Sequence, residues 1–78
     1  MAVIRYFAAA AEAAGRESEA LEAGTVGELR AAMVRRHGAD LERVLRRCAV
    51  LVSGVREEDA AAVGADDVVD VLPPFAGG

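Results

Sequence analysis

Residues 25–38, TVGELRAAMVRRHG, carry the clearest fold signal in this 78-residue chain. Thr25 can accept a hydrogen bond from a first-turn N–H, and Glu28 can reach back to the N–H of Thr25, which is the pattern of a capping box. An apolar stripe at helical spacing follows, made of Val26, Leu29 and Met33. His37-Gly38 is a suitable end for the helix. The stretch therefore predicts an amphipathic helix that packs one face on the rest of the domain.

Short apolar segments on both sides of this helix are typical of strands. They are residues 2–8 (AVIRYFA), a weaker candidate at 17–22, the continuous apolar run 48–53 (CAVLVS) and residues 68–72 (VVDVL). We expect 48–53 to be a central strand that ends in a turn at Gly54, with a short strand before the last one. This order predicts an α+β domain, with a mixed sheet of about five strands packed on one main helix.

Two further short helices are predicted. One is the alanine-rich stretch 8–14, which Gly15 ends. The other carries Leu41, Val44 and Leu45, and we expect Asp40 to cap it. The acidic, alanine-rich stretch 57–64 is predicted to lie on the surface.

The charges within two strands indicate which side chains face the core. Side chains alternate along a strand, and arginine is rarely buried without a partner. Ile4 and Tyr6 should therefore face the main helix, while Arg5 lies outside with Phe7. In the last strand Asp70 is outside for the same reason. The predicted core contains Ile4, Tyr6, Leu29, Met33, Leu51, Val69 and Val71.

The outer face of these two strands is a candidate interface. If the strands are neighbours, Arg5 can pair with Asp70 beside an exposed apolar row of Phe7, Val68 and Leu72. Exposed apolar patches of this kind mark interaction surfaces more often than they arise by accident. We therefore predict a partner interface that contains Phe7, Leu72, Val68 and Arg5.

Composition excludes several functions. The net charge of −4 argues against nucleic acid as a partner, because binding phosphates requires clustered cations. The lone Cys48 cannot form an internal disulfide and fits a reducing compartment. The sequence has neither a signal-peptide pattern nor an apolar run long enough to span a bilayer. We expect a cytoplasmic protein without a membrane partner.

Side chains suited to catalysis are scarce. The hydroxyl candidates are Ser18, Thr25 and Ser53, of which Thr25 is better explained as a cap and Ser53 as a turn residue. His37 belongs to a predicted helix C-terminus, and Cys48 is expected to be a small buried hydrophobe. No Cys/His cluster has metal-ligand spacing. The chain is therefore not expected to be an enzyme on its own, or to bind a metal or cofactor.

The last six residues, PPFAGG, carry the chemistry that we predict. Residues 1–72 form the domain, and residues 73–78 form a flexible tail that Pro73 and Pro74 hold extended at its start. Gly77 and Gly78 have no side chains to block passage through a narrow channel. The unhindered Gly78 carboxylate can attack the α-phosphate of ATP to give an acyl-adenylate. A sulfur nucleophile can then displace AMP and leave a thiocarboxylate.

The whole chain resembles the MoaD/ThiS family of ubiquitin-like sulfur carriers, which have the β-grasp fold. VIRYFAAAAEAAG at 3–15 is similar to the first strand and helix of the family, and TVGELRAAMVRRHG to its main helix. AVLVSG at 49–54 is similar to the third strand, and DDVVDVLPPFAGG at 66–78 to the last strand and the diglycine tail. The resemblance is greatest to the MoaD branch, the small subunits of molybdopterin synthase.

The resemblance implies a set of roles and partners. An E1-like adenylyltransferase would use ATP to adenylate Gly78, and a sulfurtransferase would supply the sulfur. The tail would then enter the active site of the large synthase subunit, in a heterotetramer, to provide sulfur for molybdopterin. The threading residues would be Pro73, Pro74, Phe75, Ala76 and Gly77, and Phe7 and Leu72 would lie in the docking surface.

The sequence departs from the family pattern in three places, and it leaves alternatives open. Ser53 stands where asparagine is frequent, Asp66-Asp67 replaces a Gly-Asp turn, and Phe75 is bulkier than the usual residue. A sulfur carrier for thiamine, cysteine or tRNA thiolation is the alternative within the family. A β-grasp interaction module without sulfur chemistry is the alternative outside it, and it should tolerate the loss of Gly78.

Overall fold

The computed structural model describes residues 1–22 and 24–74, and these contain every predicted helix and strand. The elements in chain order are β1 Ala2–Tyr6, α1 Ala9–Ala14, β2 Ser18–Leu21, α2 Val26–His37, α3 Ala39–Leu45, β3 Ala49–Val52, β4 Val55–Arg56 and β5 Val68–Leu72. The strands form one sheet in the order β2-β1-β5-β3-β4. The first and last strands, β1 and β5, pair in parallel, and the other neighbouring strands pair antiparallel. The predicted α+β class with a mixed sheet is confirmed.

Helix α2 begins at the predicted capping box. The Glu28 N–H donates to Thr25 Oγ1 at 3.1 Å, and Glu28 Oε1 accepts from the Thr25 N–H at 3.0 Å. The next free N–H groups, of Val26 and Gly27, donate to carbonyls of the segment before β5 at 3.0 and 2.9 Å. A Cβ at Gly27 would lie 3.3 Å from the Asp59 carbonyl oxygen, so glycine permits this close approach. The helix start and the loop thus satisfy each other's backbone groups.

A two-residue turn joins β3 to β4. Ser53 and Gly54 both have positive φ, 47° and 88°, which is the backbone of a type I′ hairpin turn. The Ser53 hydroxyl donates to Asp67 Oδ1 at 2.7 Å, and Asp67 Oδ2 accepts from the Gly64 N–H at 2.7 Å. These bonds hold the pKa of Asp67 below its usual value. The prediction that Ser53 is a turn residue is confirmed.

The core lies between the sheet and the three helices. The strand faces are as predicted: Ile4, Tyr6, Val69 and Val71 are buried beneath α2, and α2 contributes Val26, Leu29 and Met33, each fully buried. The remaining buried residues of α1 and α3 are Ala10, Ala14, Leu41 and Leu45. The main helix therefore packs across one face of the sheet, and the opposite face is left for other contacts.

Two details of the sequence prediction are wrong. Leu51 is not in the core: β3 buries Val50 and Val52 and turns Leu51 to the outer face, where it pairs with Asp70. Asp40 does not cap α3, because the helix already begins at Ala39 and its N-cap is Gly38. Asp40 pairs instead with Arg43. A continuous apolar run gives no alternation from which the face of Leu51 can be read. The prediction of a central strand at 48–53 is confirmed, since β3 pairs with β5 on one side and with β4 on the other.

Candidate functional site

The candidate site begins where the central strand β5 ends. Leu72 leads directly into Pro73, which is partly buried, and Pro74, which is exposed. Phe75, Ala76, Gly77 and Gly78 lie outside the described residues, so their predicted roles stay predictions. Because β5 is hydrogen-bonded on both sides, to β1 and to β3, the start of the tail has a fixed position on the domain.

An ion pair crosses the outer face of the sheet beside this point. Arg5 of β1 and Asp70 of β5 are direct partners in the parallel register. Arg5 Nε and Nη2 donate to the two carboxylate oxygens of Asp70, at 2.6 and 2.9 Å. The Arg5 guanidinium also lies 5.8 Å from the centre of the Phe7 ring. This bidentate pair, predicted from the sequence, fixes the orientation of the guanidinium over the ring.

Apolar side chains surround the ion pair on the outer face. Phe7 is 40% exposed and Val3 is 44% exposed, while Leu51, Val68 and Leu72 are partly exposed. The sequence analysis named Phe7, Val68 and Leu72; it missed Leu51, which it placed in the core. The sheet thus presents an apolar surface around one compact ion pair, which we call the outer apolar face.

A groove connects this face to the start of the tail. It is lined by Phe7, Ala8, Ala9, Glu12, Leu72, Pro73 and Pro74. Ala8 forms the bend between β1 and α1 with φ 52° and ψ −124°, a conformation that is uncommon outside glycine. This bend turns the chain away directly after Phe7 and leaves the ring at the edge of the groove.

A second groove lies on the other side of the same two prolines. It is lined by Ala9, Arg43, Val44, Arg46, Arg47, Pro73 and Pro74. The sequence analysis did not identify this basic surface. The only signal was the run RVLRR at 43–47, and its relation to the tail is not visible in the sequence, because twenty-five residues of chain, 48–72, separate them.

A buried carboxylate, Glu19, holds β2 against α2 at the β2 edge of the sheet. The Glu19 side chain is 3% exposed. Its Oε2 accepts from the Tyr6 hydroxyl and contacts His37 Nε2, both at 2.6 Å, and its Oε1 lies 2.9 Å from Arg36 Nε. This cluster was not predicted, because β2 shows a weak pattern. It gives His37 a structural role, as expected.

The same cluster determines the ionisation of its members. Burial alone would raise the pKa of Glu19, but the hydrogen bonds from Tyr6 and His37 and the charge of Arg36 outweigh it, and the pKa is lowered from 4.5. Burial and the hydrogen bond to Glu19 raise the pKa of Tyr6. Glu19 is therefore ionised at neutral pH and Tyr6 keeps its proton.

Replacing Glu19 with glutamine should destabilise the domain at neutral pH by about 1–3 kcal/mol, because two buried hydrogen-bonding groups lose a charged partner. A carboxyl group whose pKa is lower in the folded state than in the unfolded state stabilises the fold at pH values above the unfolded pKa. This contribution is lost as the pH falls through the folded-state pKa. The difference between wild type and Glu19→Gln should therefore shrink below about pH 4. Urea unfolding of both proteins at pH 7 and pH 3 measures this difference in stability. The exposed Glu22→Gln is the control, and an equal effect there would contradict the role of Glu19.

The thiol candidate, Cys48, has a structural environment. Cys48 is buried, its Sγ donates to the Val44 carbonyl at 3.2 Å, and burial raises the pKa of its thiol. Among residues 1–22 and 24–74 no three His, Cys, Asp or Glu side chains lie close enough to share a metal ion. In the same residues, none of the helices is both long enough and apolar enough for a membrane span.

Comparison with solved structures shows the fold. SAMP1 from Haloferax volcanii has 29% sequence identity with this chain and a TM-score of 0.86, over 99% of this chain and 98% of that one. Small archaeal modifier protein 1 from Methanosarcina acetivorans has 20% identity and a TM-score of 0.86, over 99% and 95%. The fold is therefore the predicted ubiquitin-like β-grasp.

A third structure and a family model complete the comparison. A chain in the complex of subunits 1 and 2 of molybdopterin-converting factor from Helicobacter pylori has 24% identity and a TM-score of 0.73, over 99% of this chain and 97% of that one. The curated proteins contain no significant match to the sequence. The model of the ThiS family matches residues 4–78. Because this match spans nearly the whole chain, including both terminal glycines, the protein belongs to the ThiS family of ubiquitin-like sulfur carriers.

Proposed function

We propose that this protein carries sulfur as a thiocarboxylate on Gly78. Residues 1–72 are the folded domain in this proposal, and residues 73–78 are the tail that enters the active sites of other proteins. An E1-like adenylyltransferase activates the Gly78 carboxylate with ATP, and a sulfurtransferase supplies the sulfur that replaces AMP. The protein holds no catalytic site of its own.

The observation that carries this proposal is the family match that continues through Gly78. A family resemblance confined to the domain would be compatible with a plain interaction module. The described residues add support, because two other candidates in them are held by the fold: Cys48 is buried with a raised pKa, and His37 contacts Glu19.

We further propose that the sulfur goes to molybdopterin, with the large subunit of molybdopterin synthase as the partner in a heterotetramer. The likeness to a chain of the Helicobacter pylori complex supports this choice. The alternatives are a carrier for thiamine, cysteine or tRNA thiolation, or an interaction module, and the likeness to the small archaeal modifier proteins favours a role outside molybdopterin. The nature of the sulfur acceptor distinguishes these pathways.

Intact-mass measurement tests the proposal directly. The protein is incubated with ATP, an E1-like adenylyltransferase and a sulfur donor. We expect an adenylate first and then a product in which one oxygen is replaced by sulfur, located at Gly78 by fragmentation. Adding the large synthase subunit and the pterin precursor should return the tail to a carboxylate as product forms. A protein that acquires no sulfur under these conditions, or acquires it elsewhere, would contradict the carrier function.

Phe7 should anchor the large subunit on the outer apolar face. We expect Phe7→Ala to weaken this binding by more than about 1–2 kcal/mol, as for an aromatic residue at the centre of an interface. The fold should tolerate the change, because 40% of the side chain is already exposed. Isothermal titration calorimetry measures the affinity, and Val55→Ala on β4, 59% exposed, is the control. Unfolding of Phe7→Ala, or equal weakening by both variants, would argue against the anchor.

A further inference from the structure

The arginines of this acidic protein are concentrated on one side of the domain. Two adjoining grooves run along α3, one between α3 and the start of the tail and one between α3 and α2. Arg46 lines both grooves. Five of the nine basic residues of the chain line one or both of them: Arg30, Arg35, Arg43, Arg46 and Arg47.

Most of these charges are not used by the fold. Arg30 is engaged, since its Nη1 donates to the Leu45 carbonyl at 2.9 Å and its Nε lies 3.1 Å from Asp59 Oδ1. Arg43 pairs with Asp40. Within the described residues no carboxylate lies within 4.0 Å of Arg35, Arg46 or Arg47. We call Arg35, Arg43, Arg46 and Arg47 the basic strip.

A structural explanation accounts for part of the strip only. Arg46 is the C-cap of α3, and a cation near a helix C-terminus is favourable. The same effect applies to Arg35 and Arg43, which lie in the last turns of α2 and α3. It still leaves Arg35, Arg46 and Arg47 without a carboxylate within 4.0 Å in the described residues. Like charges in neighbouring positions repel one another, and a negatively charged ligand would relieve this repulsion.

Two candidate ligands can be compared by magnitude. The chain's own C-terminal carboxylate is four residues beyond Pro74, but a single exposed ion pair contributes little free energy. That gain is smaller than the loss of conformational entropy on ordering the residues between them. A nucleic acid is disfavoured by the net charge of −4, because its phosphates are repelled by an acidic protein. A protein segment with several carboxylates can engage several arginines at once.

We propose that the basic strip is a docking surface for an acidic segment of the protein that takes up the tail. The inference rests on the proposed function, and it names a feature of that partner. Pro73 and Pro74 line the same groove as Arg43, Arg46 and Arg47 on one side and the groove with Phe7 on the other, so a protein that binds the chain beyond Pro74 comes close to the strip. Complementary charge there speeds association and sets the orientation of the tail.

A charge-reversal pair tests the docking surface without any partner. The full-length protein is titrated with an oligoglutamate peptide at low salt, and binding is followed by NMR. Arg46→Glu should weaken binding at least about tenfold, while Arg56→Glu on β4, which alters the net charge equally, should change it less than about threefold. Equal weakening by both variants would overturn the proposal, as would tighter binding of an RNA oligonucleotide or of anionic lipid vesicles by the wild type.

The same variants also test the role in tail uptake. With the adenylyltransferase, Arg46→Glu should raise the half-saturating carrier concentration at least about tenfold, leave the rate at saturation unchanged, and reduce the salt dependence. An unchanged half-saturating concentration would overturn the proposal. So would a shift of the Gly78 NMR signals in free Arg46→Glu, which would make the protein's own tail the occupant. If the wild type forms no adenylate, the proposed function is contradicted instead. The peptide titration does not depend on that function and still tests the docking surface.

Discussion

Deletion of Gly78 should abolish sulfur loading completely and leave the domain folded. The shortened chain ends in the Gly77 carboxylate, which stops about 3.3–3.6 Å short of the position that the activating enzyme holds against ATP. Proximity effects of this kind are steep, because a displacement of about 1 Å can cost about a hundredfold in rate. Intact-mass spectrometry after incubation with the adenylyltransferase, ATP and a sulfur donor should show neither adenylate nor thiocarboxylate.

Two controls separate this effect from other causes. Cys48→Ala should load sulfur normally, since the thiol is buried and takes no part in the proposed chemistry. The deletion variant should show the same thermal unfolding transition as the wild type, because the buried core ends at Val71. The carrier hypothesis is wrong if the deletion variant still transfers sulfur, and a loss of loading in Cys48→Ala would then point to the thiol.

Leu29→Ala should have the largest effect on stability, a loss of about 2–5 kcal/mol. Leu29 is fully buried on α2 within the single core of the domain. A truncated side chain there removes apolar contact and leaves a cavity that the sheet on one side and the helices on the other cannot fill completely. Small domains are stable by about 5–15 kcal/mol at most, so much of the variant should be unfolded at moderate urea concentrations.

Leu51→Ala is the matched control, because it removes the same atoms from the outer face. Leu51 is partly exposed on β3, so its truncation should cost clearly less than that of Leu29. Equilibrium unfolding in urea gives both values. If the two variants lose the same stability, the outer apolar face is covered in the free protein. The hypothesis that this face is free to bind a partner would then be wrong.

The sequence alone determined the elements whose local signals agree with their packing. The capping box at Thr25 and Glu28 marked the start of α2, and the spacing of Val26, Leu29 and Met33 identified its buried face. In β1 and β5 a single charged residue each, Arg5 and Asp70, identified the outer face, and from it the exposed position of Phe7. These predictions succeeded because hydrogen bonding within one turn and the alternation of one strand depend only on nearby residues.

Only the tertiary structure decided the features that depend on which segments become neighbours. The run CAVLVS contains no charge to mark a face, so the choice between Leu51 and its neighbours Val50 and Val52 followed from the pairing of β3 with β5. Tyr6, Glu19 and His37 come from three elements and meet in one buried cluster. The prolines of the tail meet Arg43, Arg46 and Arg47 in one groove. Such contacts are set by sheet order and helix placement, which arise from the burial of the whole core and leave no short-range pattern in the sequence.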